Sequence, residues 1–345
     1  MHFFGIRFFI SFLLMIFLAN NFCFAQETPL KKATIVIWSG GENNSVFRKS
    51  KNLFFLKSAF KKQGYDLNTH DITPPRESEI VLVARKNYSL SDSVKGRSFL
   101  WLVESPISIR VAKDPVIMER YDKIFTYNRE LVDNEKYFYM PIPYDYKVTL
   151  KDFPTLLDKT VLVAQIASNN TNSSLLCVYN ERRKAVRWFL ENAPKDFVLY
   201  GPRWDRFEQD LSPSLKKEFN QIYKGWVDDK LSVVKTAKFV LAYENAKFPG
   251  YISEKIFDAM AGGSVPVYLG APDIADYVPK QCFINREDFS SYSELYDFLK
   301  NMPDDVYNSY LKCIKEFMIL PKHYNDSETV AQLFEKEMII DYLKH

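Results

Sequence analysis

One short stretch gathers most of the side chains that could do chemistry: Glu244, Asn245, Tyr251, Ser253, Glu254 and Lys255. Lys255 falls where a helix should begin. The free backbone N–H groups there already carry partial positive charge, so a further cation is disfavoured by about 0.3 to 1 kcal/mol. An anion reverses that sign, and a diphosphate held jointly by the helix amino terminus and the Lys255 ammonium satisfies both. The same spacing also suits a solvated surface lysine beside a half-buried tyrosine. A second group is Glu104, which closes the apolar run Arg97–Val103 and is followed at once by Ser105 and the chain-turning Pro106. A carboxylate so placed can act as a general base or merely cap a turn. The third group is Arg182 and Arg183, which open the run ERRKAVRWFLEN. A planar guanidinium can hold two phosphate oxygens at once, and the alternative is a solvated arginine face.

The elements that must position these groups are legible from hydrophobic pattern. Phe239–Tyr243 and Val265–Leu269 are short apolar runs of the buried-strand type. Between them Ser253 can cap a helix whose Ile256, Phe257 and Met260 form an apolar stripe and whose end is marked by Gly262 and Gly263. A strand, helix and strand in that order make a βαβ unit with parallel strands, and the loop leaving its first strand opens at the carboxyl edge where such sheets bind ligands.

The remainder of the chain repeats this alternation. Strands are expected at Ala33–Trp38, Glu79–Ala84, Arg97–Val103 and Asp122–Tyr127, with a helix over Val46–Lys62. These describe a first Rossmann-like half over residues 30–150. The proline-rich passage Met140–Pro154 reads as a hinge. A second half over 155–325 begins with the strand at Thr160, and a final helix over about Glu328–Leu343 lies within 326–345. The expected class is α/β, with two Rossmann-like domains facing a central cleft.

Residues 1–25 stand apart: a basic start, an apolar run from Phe8 to Ala19, and Cys23-Phe24-Ala25 as a cleavage site read as a signal peptide or, uncut, a signal anchor. Five N-x-[ST] sequons, at Asn43, Asn87, Asn169, Asn172 and Asn325, accord with a secretory route. Cys177, Cys282 and Cys313 remain after cleavage and allow one disulfide whose partners the sequence does not assign. A formal charge of +3 and the absence of a nucleic-acid motif set nucleic acid aside. Four scattered histidines, with no H-E-x-x-H and no paired C-x-x-C, make a zinc site an unexpected feature.

The stretch from Phe239 to Gly270 resembles the signature of the family 10 α-1,3-fucosyltransferases. Their pattern runs approximately F-x-L-x-F-E-N-S, then D-Y-[IV]-T-E-K, then A-G-x-V-P-V-x-x-G. This chain has Phe239, Leu241, Tyr243-Glu244-Asn245-Ala246, Gly250-Tyr251-Ile252-Ser253-Glu254-Lys255 and Gly263-Ser264-Val265-Pro266-Val267-Tyr268-Leu269-Gly270. It departs from the pattern by Tyr243 for Phe, Ala246 for Ser, Gly250 for Asp and Ser253 for Thr. Glu104-Ser105-Pro106 also matches a motif of the family's amino-terminal domain, and Lys230 a position of unassigned role. The family's carboxy-terminal C-x-x-C is missing, and Cys313 is read as unpaired.

The resemblance implies the GT-B arrangement and an inverting transfer of L-fucose from GDP-fucose to an N-acetylglucosamine-containing glycan, in α-1,3 linkage. It implies Glu104 as general base and a donor diphosphate held by Lys255 and by Arg183, with Arg182 the neighbouring register. Glu254 would accept hydrogen bonds from sugar or ribose hydroxyls, Tyr251 would pack on the nucleotide, and Asn245 would shape the donor loop. Glu244 and Lys230 are further donor-site candidates. The chain contains no Asp-x-Asp pair, so protein cations or helix ends rather than an essential divalent metal are expected to hold the leaving group. In a eukaryote the amino terminus would make a single-pass type II Golgi membrane protein, with a cleaved signal peptide as the alternative. Rival readings are a transferase of the same fold using another nucleotide sugar, and a non-catalytic glycan-binding protein.

Overall fold

The computed structural model describes residues 29–37, 42–84, 90–91, 93–108, 115–145, 153–320 and 323–341. The amino-terminal signal or anchor segment, sequon Asn87 and residues 146–152 of the Met140–Pro154 passage lie outside those residues. No described helix is long and apolar enough to cross a membrane.

Two parallel sheets organise the chain. The first contains β1 (Lys31–Val36), β2 (Tyr65–Thr69), β3 (Ile80–Val83), β4 (Arg97–Leu102), β5 (Lys123–Thr126) and β6 (Tyr137–Tyr139), in the order β2-β1-β3-β4-β5-β6 with every pairing parallel. The four expected strands are its centre. The edge strands β2 and β6 escaped the reading because Tyr65-Asp66-Leu67-Asn68-Thr69 and Tyr137-Phe138-Tyr139 lack a run of aliphatic residues. Alternation along β4 and β5 divides the core between the faces. Phe99, Trp101 and Phe125 pack on one side with Leu53, Leu56 and Phe60, and Leu100, Leu102 and Ile124 pack on the other with Val81, Val83 and Tyr121.

The helix expected over Val46–Lys62 is two helices, α1 (Ser45–Lys49) and α2 (Lys51–Lys62). Ser50 between them is extended, with φ −124° and ψ 117°, and its hydroxyl donates to the Asn52 side chain. A serine that finds such a local partner favours a helix start over a helix interior. A short helix α3 (Pro115–Glu119) precedes β5.

The second sheet contains β7 (Val161–Ile166), β8 (Phe197–Tyr200), β9 (Ala237–Tyr243), β10 (Val265–Leu269) and β11 (Ile284–Asn285). Its order is β11-β10-β9-β7-β8, again all parallel. Helices α4 (Tyr179–Asn192), α5 (Asp205–Gln209), α6 (Pro213–Ile222), α7 (Lys230–Thr236), α8 (Glu254–Ala261), α9 (Tyr292–Lys300) and α10 (Asp304–Met318) surround it. The βαβ unit read from Phe239 to Gly270 is β9-α8-β10, with Val265 opposite Phe239 and Leu269 opposite Tyr243. The two Rossmann-like halves of the expected α/β architecture are therefore present.

The chain then returns to its first half. Helix α11 (Ser327–Glu335) passes into a π-helical turn over Lys336–Ile340 and does not continue as one α-helix, and Leu343, where the expected helix ends, lies outside the described residues. Phe334 meets Trp101 and Phe125 edge-on, each with ring centroids 4.9 Å apart. Lys123 and Glu337 pair at 2.9 Å with both side chains largely buried.

Two covalent expectations change. Cys313 is not unpaired: it is bonded to Cys282, 31 residues earlier, while Cys177 is a free thiol. A search confined to closely spaced cysteines misses this bridge, which joins the turn before β11 to α10. Among the sequons, Asn325 is fully buried. Its side-chain Nδ2 donates to the Ile142 carbonyl at 2.9 Å and its backbone carbonyl accepts from the Tyr144 N–H, so a glycan has no room there.

Candidate functional site

The carboxyl ends of β9, β7 and β8 open into a cleft of about 300 Å³. Its charged wall is Arg182, Lys230, Glu254, Lys255 and Asp258, joined by Asn245 and by Ser168 and Asn170 from the loop after β7.

Glu244, the residue after β9, continues the ladder by donating its N–H to the Leu269 carbonyl at 2.8 Å. Its side chain is fully buried, and it fits against Gly270 because that residue has no Cβ: one built there would lie 2.5 Å from Glu244 Cγ. The carboxylate accepts the Ser253 N–H at 2.7 Å and the Ser253 hydroxyl at 2.6 Å. Ser253 therefore does not cap α8 with its side chain, and the first turn of that helix keeps backbone donors for another acceptor. Lys255 Nζ lies 2.8 Å from Ser253 Oγ, 3.4 Å from Glu244 Oε2 and 3.3 Å from Glu254 Oε1. Glu244 is thus the buried counter-ion that holds Lys255 at the helix start. It is not on the cleft wall.

Arg182, only 2 % exposed, reaches in from α4. Its Nη2 donates to the Tyr243 carbonyl at 2.6 Å and to Asn245 Oδ1 at 2.9 Å, while its Nε is buried without a partner. Asn245 in turn donates to Tyr251 Oη at 3.3 Å. Arg183 points elsewhere. It donates to Asn169 Oδ1 at 3.1 Å and to the Asn170 carbonyl at 2.7 Å, bracing the loop after β7. Of the two registers, the one facing the cleft is Arg182. Helical geometry decides this, since consecutive residues project about 100° apart.

Tyr251 also lies off the cleft wall. It is buried against Tyr127, with ring centroids 5.4 Å apart. The loop carrying it presses on the first half: Gly250 has φ 71°, and a Cβ there would sit 2.6 Å from the Tyr127 carbonyl oxygen. Its N–H donates to both oxygens of Asp273 at 2.9 and 3.0 Å. An acidic side chain at this position would collide with the Tyr127 carbonyl just after β5, which gives the departure from the family pattern a physical reason. Glu104 stands across this junction, partly exposed just beyond β4. Tyr127 Oη donates to its carbonyl at 3.1 Å.

The sequence reading missed Asp258, Trp226 and the Gly201-Pro202 turn, all of which line the cleft. Asp258 had a signal, for it stands one helical turn beyond Glu254 on the same face. It accepts from Tyr144 Oη at 3.1 Å and lies 3.8 Å from Lys230. Burial, then the neighbouring Glu254 charge, push its carboxyl up to about 6. Glu254 goes the other way. Burial opposes its ionisation, yet Lys255 and Lys230 outweigh it and bring the carboxyl down to about 2. Burial works against the Lys255 ammonium, and Glu254 and Glu244 reverse it to a net rise. At neutral pH three cations and two carboxylates thus line the cleft beside a helix amino terminus. That set can hold a diphosphate through the cations and hydroxyls through Glu254. Among the described residues no group of three or more His, Cys, Asp or Glu is arranged to hold a metal ion.

Comparison with known proteins places these features in context. The chain is 26 % identical over 331 residues to the human and mouse proteins named 4-galactosyl-N-acetylglucosaminide 3-alpha-L-fucosyltransferase 9, covering 90 % of this chain and 80 % of each relative. An alpha-(1,4)-fucosyltransferase of Arabidopsis thaliana is 39 % identical over 102 residues, which cover 29 % of this chain and 25 % of that protein. Among solved structures, an α1,3-fucosyltransferase with GDP superposes with a TM-score of 0.60 at 20 % identity, covering 93 % of this chain and 92 % of that one. Anabaena HepE with UDP and glucose gives 0.58 at 13 % identity, covering 91 % and 99 %. At those identities the structural likenesses establish the fold, a GT-B glycosyltransferase fold. The family model for the carboxy-terminal part of glycosyltransferase family 10 (fucosyltransferase) matches residues 157–336. That match is more than half of the chain and takes in β7 to α11 with every residue of the charged wall, so the protein belongs to glycosyltransferase family 10, the fucosyltransferases.

Proposed function

We propose that the protein transfers L-fucose from GDP-fucose to an N-acetylglucosamine-containing glycan, forming an α-1,3 link with inversion at the anomeric carbon. The observation that carries this reading is the convergence of Lys255, Arg182 and Lys230 on one cleft at the uncapped start of α8. The names of the relatives support the sugar and the linkage. A solved α1,3-fucosyltransferase with GDP-fucose, at TM-score 0.57 and 19 % identity, shares the fold.

In this mechanism Glu104 takes the proton of the acceptor hydroxyl, whose oxygen attacks the anomeric carbon of fucose. The bond from that carbon to the β-phosphate oxygen breaks, and its electron pair leaves with GDP. Arg182, Lys230, Lys255 and the first-turn N–H groups of α8 stabilise the charge that develops on the leaving oxygen. With the leaving group held this way, no divalent metal is required.

The test is transfer of labelled fucose to an N-acetyllactosamine-type acceptor, with and without EDTA. Glu104→Gln should lower kcat by about 10²- to 10⁴-fold with little change in GDP affinity. An active wild-type enzyme whose kcat survives Glu104→Gln rejects that residue as the base. No transfer from GDP-fucose to any glycan acceptor rejects the reaction itself.

A further inference from the structure

Trp226 is 68 % exposed, an unfavourable place for so much apolar surface, and it is also fixed. Its indole Nε1 donates to Asp228 Oδ1 at 2.8 Å. The chain around it is pinned to the end of β8: the Gly201 N–H donates to the Gly225 carbonyl at 2.8 Å, the Lys224 N–H to the Leu199 carbonyl at 2.9 Å, and Tyr223 Oη to the Gly201 carbonyl at 2.9 Å. A rigid aromatic ring held toward solvent at the rim of a cleft is preorganised for a flat partner.

Strand order gives the cleft a direction. Arg182, Lys255 and the start of α8 lie at the end of β9, Ile166 to Ser168 at the end of β7, and Gly201, Pro202, Trp226 and Val227 at the end of β8, with Lys230 at the start of α7 facing Asp258. Two strand spacings, about 10 Å, therefore separate the charged end from an end walled by Trp226, Pro202 and Val227. A nucleoside diphosphate has the same polarity, with charge at one end, a flat base at the other and a ribose between.

We propose that Trp226 is the stacking platform for the nucleobase of the donor, with the diphosphate at the β9 end and the base at the β8 end. The inference rests on the nucleotide-sugar reading above and adds the residue that recognises the base. Removing an aromatic platform weakens stacking by roughly tenfold in affinity, and the loss belongs to the base alone.

Calorimetric titration with GDP and with inorganic pyrophosphate, on the wild-type protein, Trp226→Ala and Trp226→Phe, separates the two ends. The expected result is a GDP Kd weakened roughly tenfold in Trp226→Ala, mostly restored in Trp226→Phe, and a pyrophosphate Kd that does not move. Unchanged GDP affinity in Trp226→Ala overturns the proposal. So does an equal loss for GDP and pyrophosphate, which marks a general collapse of the cleft. A wild-type protein that binds GDP no tighter than pyrophosphate removes the base contact and leaves the phosphate site standing. One that binds neither overturns this proposal and the donor reading together.

Discussion

Lys255→Ala tests the centre of the argument, because Lys255 serves a buried charge as well as the cleft. Glu244 is fully buried, with the Lys255 ammonium at 3.4 Å and two hydrogen bonds from Ser253. Removing one partner of a buried pair costs about 3 to 5 kcal/mol. The Ser253 bonds remain, so the lower end applies, about 3 kcal/mol. The family-matched part, residues 157–336, is 180 residues long. At that size each kcal/mol moves Tm by about 2–4 °C, and a fall of about 6–12 °C follows. The double variant Glu244→Gln/Lys255→Ala should regain at least half of it. Its neutral amide needs no counter-ion, and Ser253 Oγ, relieved of the ammonium, can accept from the new NH₂ group. Thermal denaturation with and without GDP reads both roles, since a ligand bound to the native state raises Tm by mass action and that rise should vanish in Lys255→Ala. A single variant within about 2 °C of wild type, or a double variant no better than the single, would refute the assignment of Lys255 as the counter-ion of Glu244.

Gly250→Ala should lower stability by more than about 2 kcal/mol, combining the left-handed penalty of about 1–2 kcal/mol with the 2.6 Å approach to the Tyr127 carbonyl; a Tm equal to wild type contradicts that packing. Asp258 sets a pH dependence. Its folded value of about 6 lies above the ordinary 3.8, so the native state binds the extra proton and the contribution of this group to stability is lost as pH rises from about 4 to 6. Asp258→Asn should therefore gain on wild type through that window, and Tm curves that stay parallel from pH 4 to 7 would exclude the assignment. Cys282→Ser/Cys313→Ser opens a loop of 31 residues, for which chain entropy gives about 3–4 kcal/mol; unchanged Tm on reduction of the wild-type protein would argue against the bridge.

Local sequence was sufficient for the elements whose stability is local. The apolar runs of β9 and β10, the apolar stripe of α8 and the glycines after it announce a βαβ unit, because strand burial and helix termination are written within a few residues of each other; the serine before α8 marks the helix start, although its side chain bonds Glu244 and does not cap the helix. The same holds for the carboxyl-edge loop, so Asn245, Glu254 and Lys255 were legible as one site. What the sequence could not show depends on directions and distances through space. The choice between Arg182 and Arg183 is a rotation of 100° about α4. The role of Glu244 depends on burial behind Ser253, Tyr251 turns to Tyr127 because the two halves meet there, and Cys282 finds Cys313 only because α10 packs beside the turn before β11. Trp226 and Asp258 join the cleft through the strand order β9-β7-β8, which sets β7 between the two strands that follow it in the chain. Sequence by itself determined which groups could carry the charge; the folded chain decided which of them face the same space, because facing is set by packing between residues far apart in the chain.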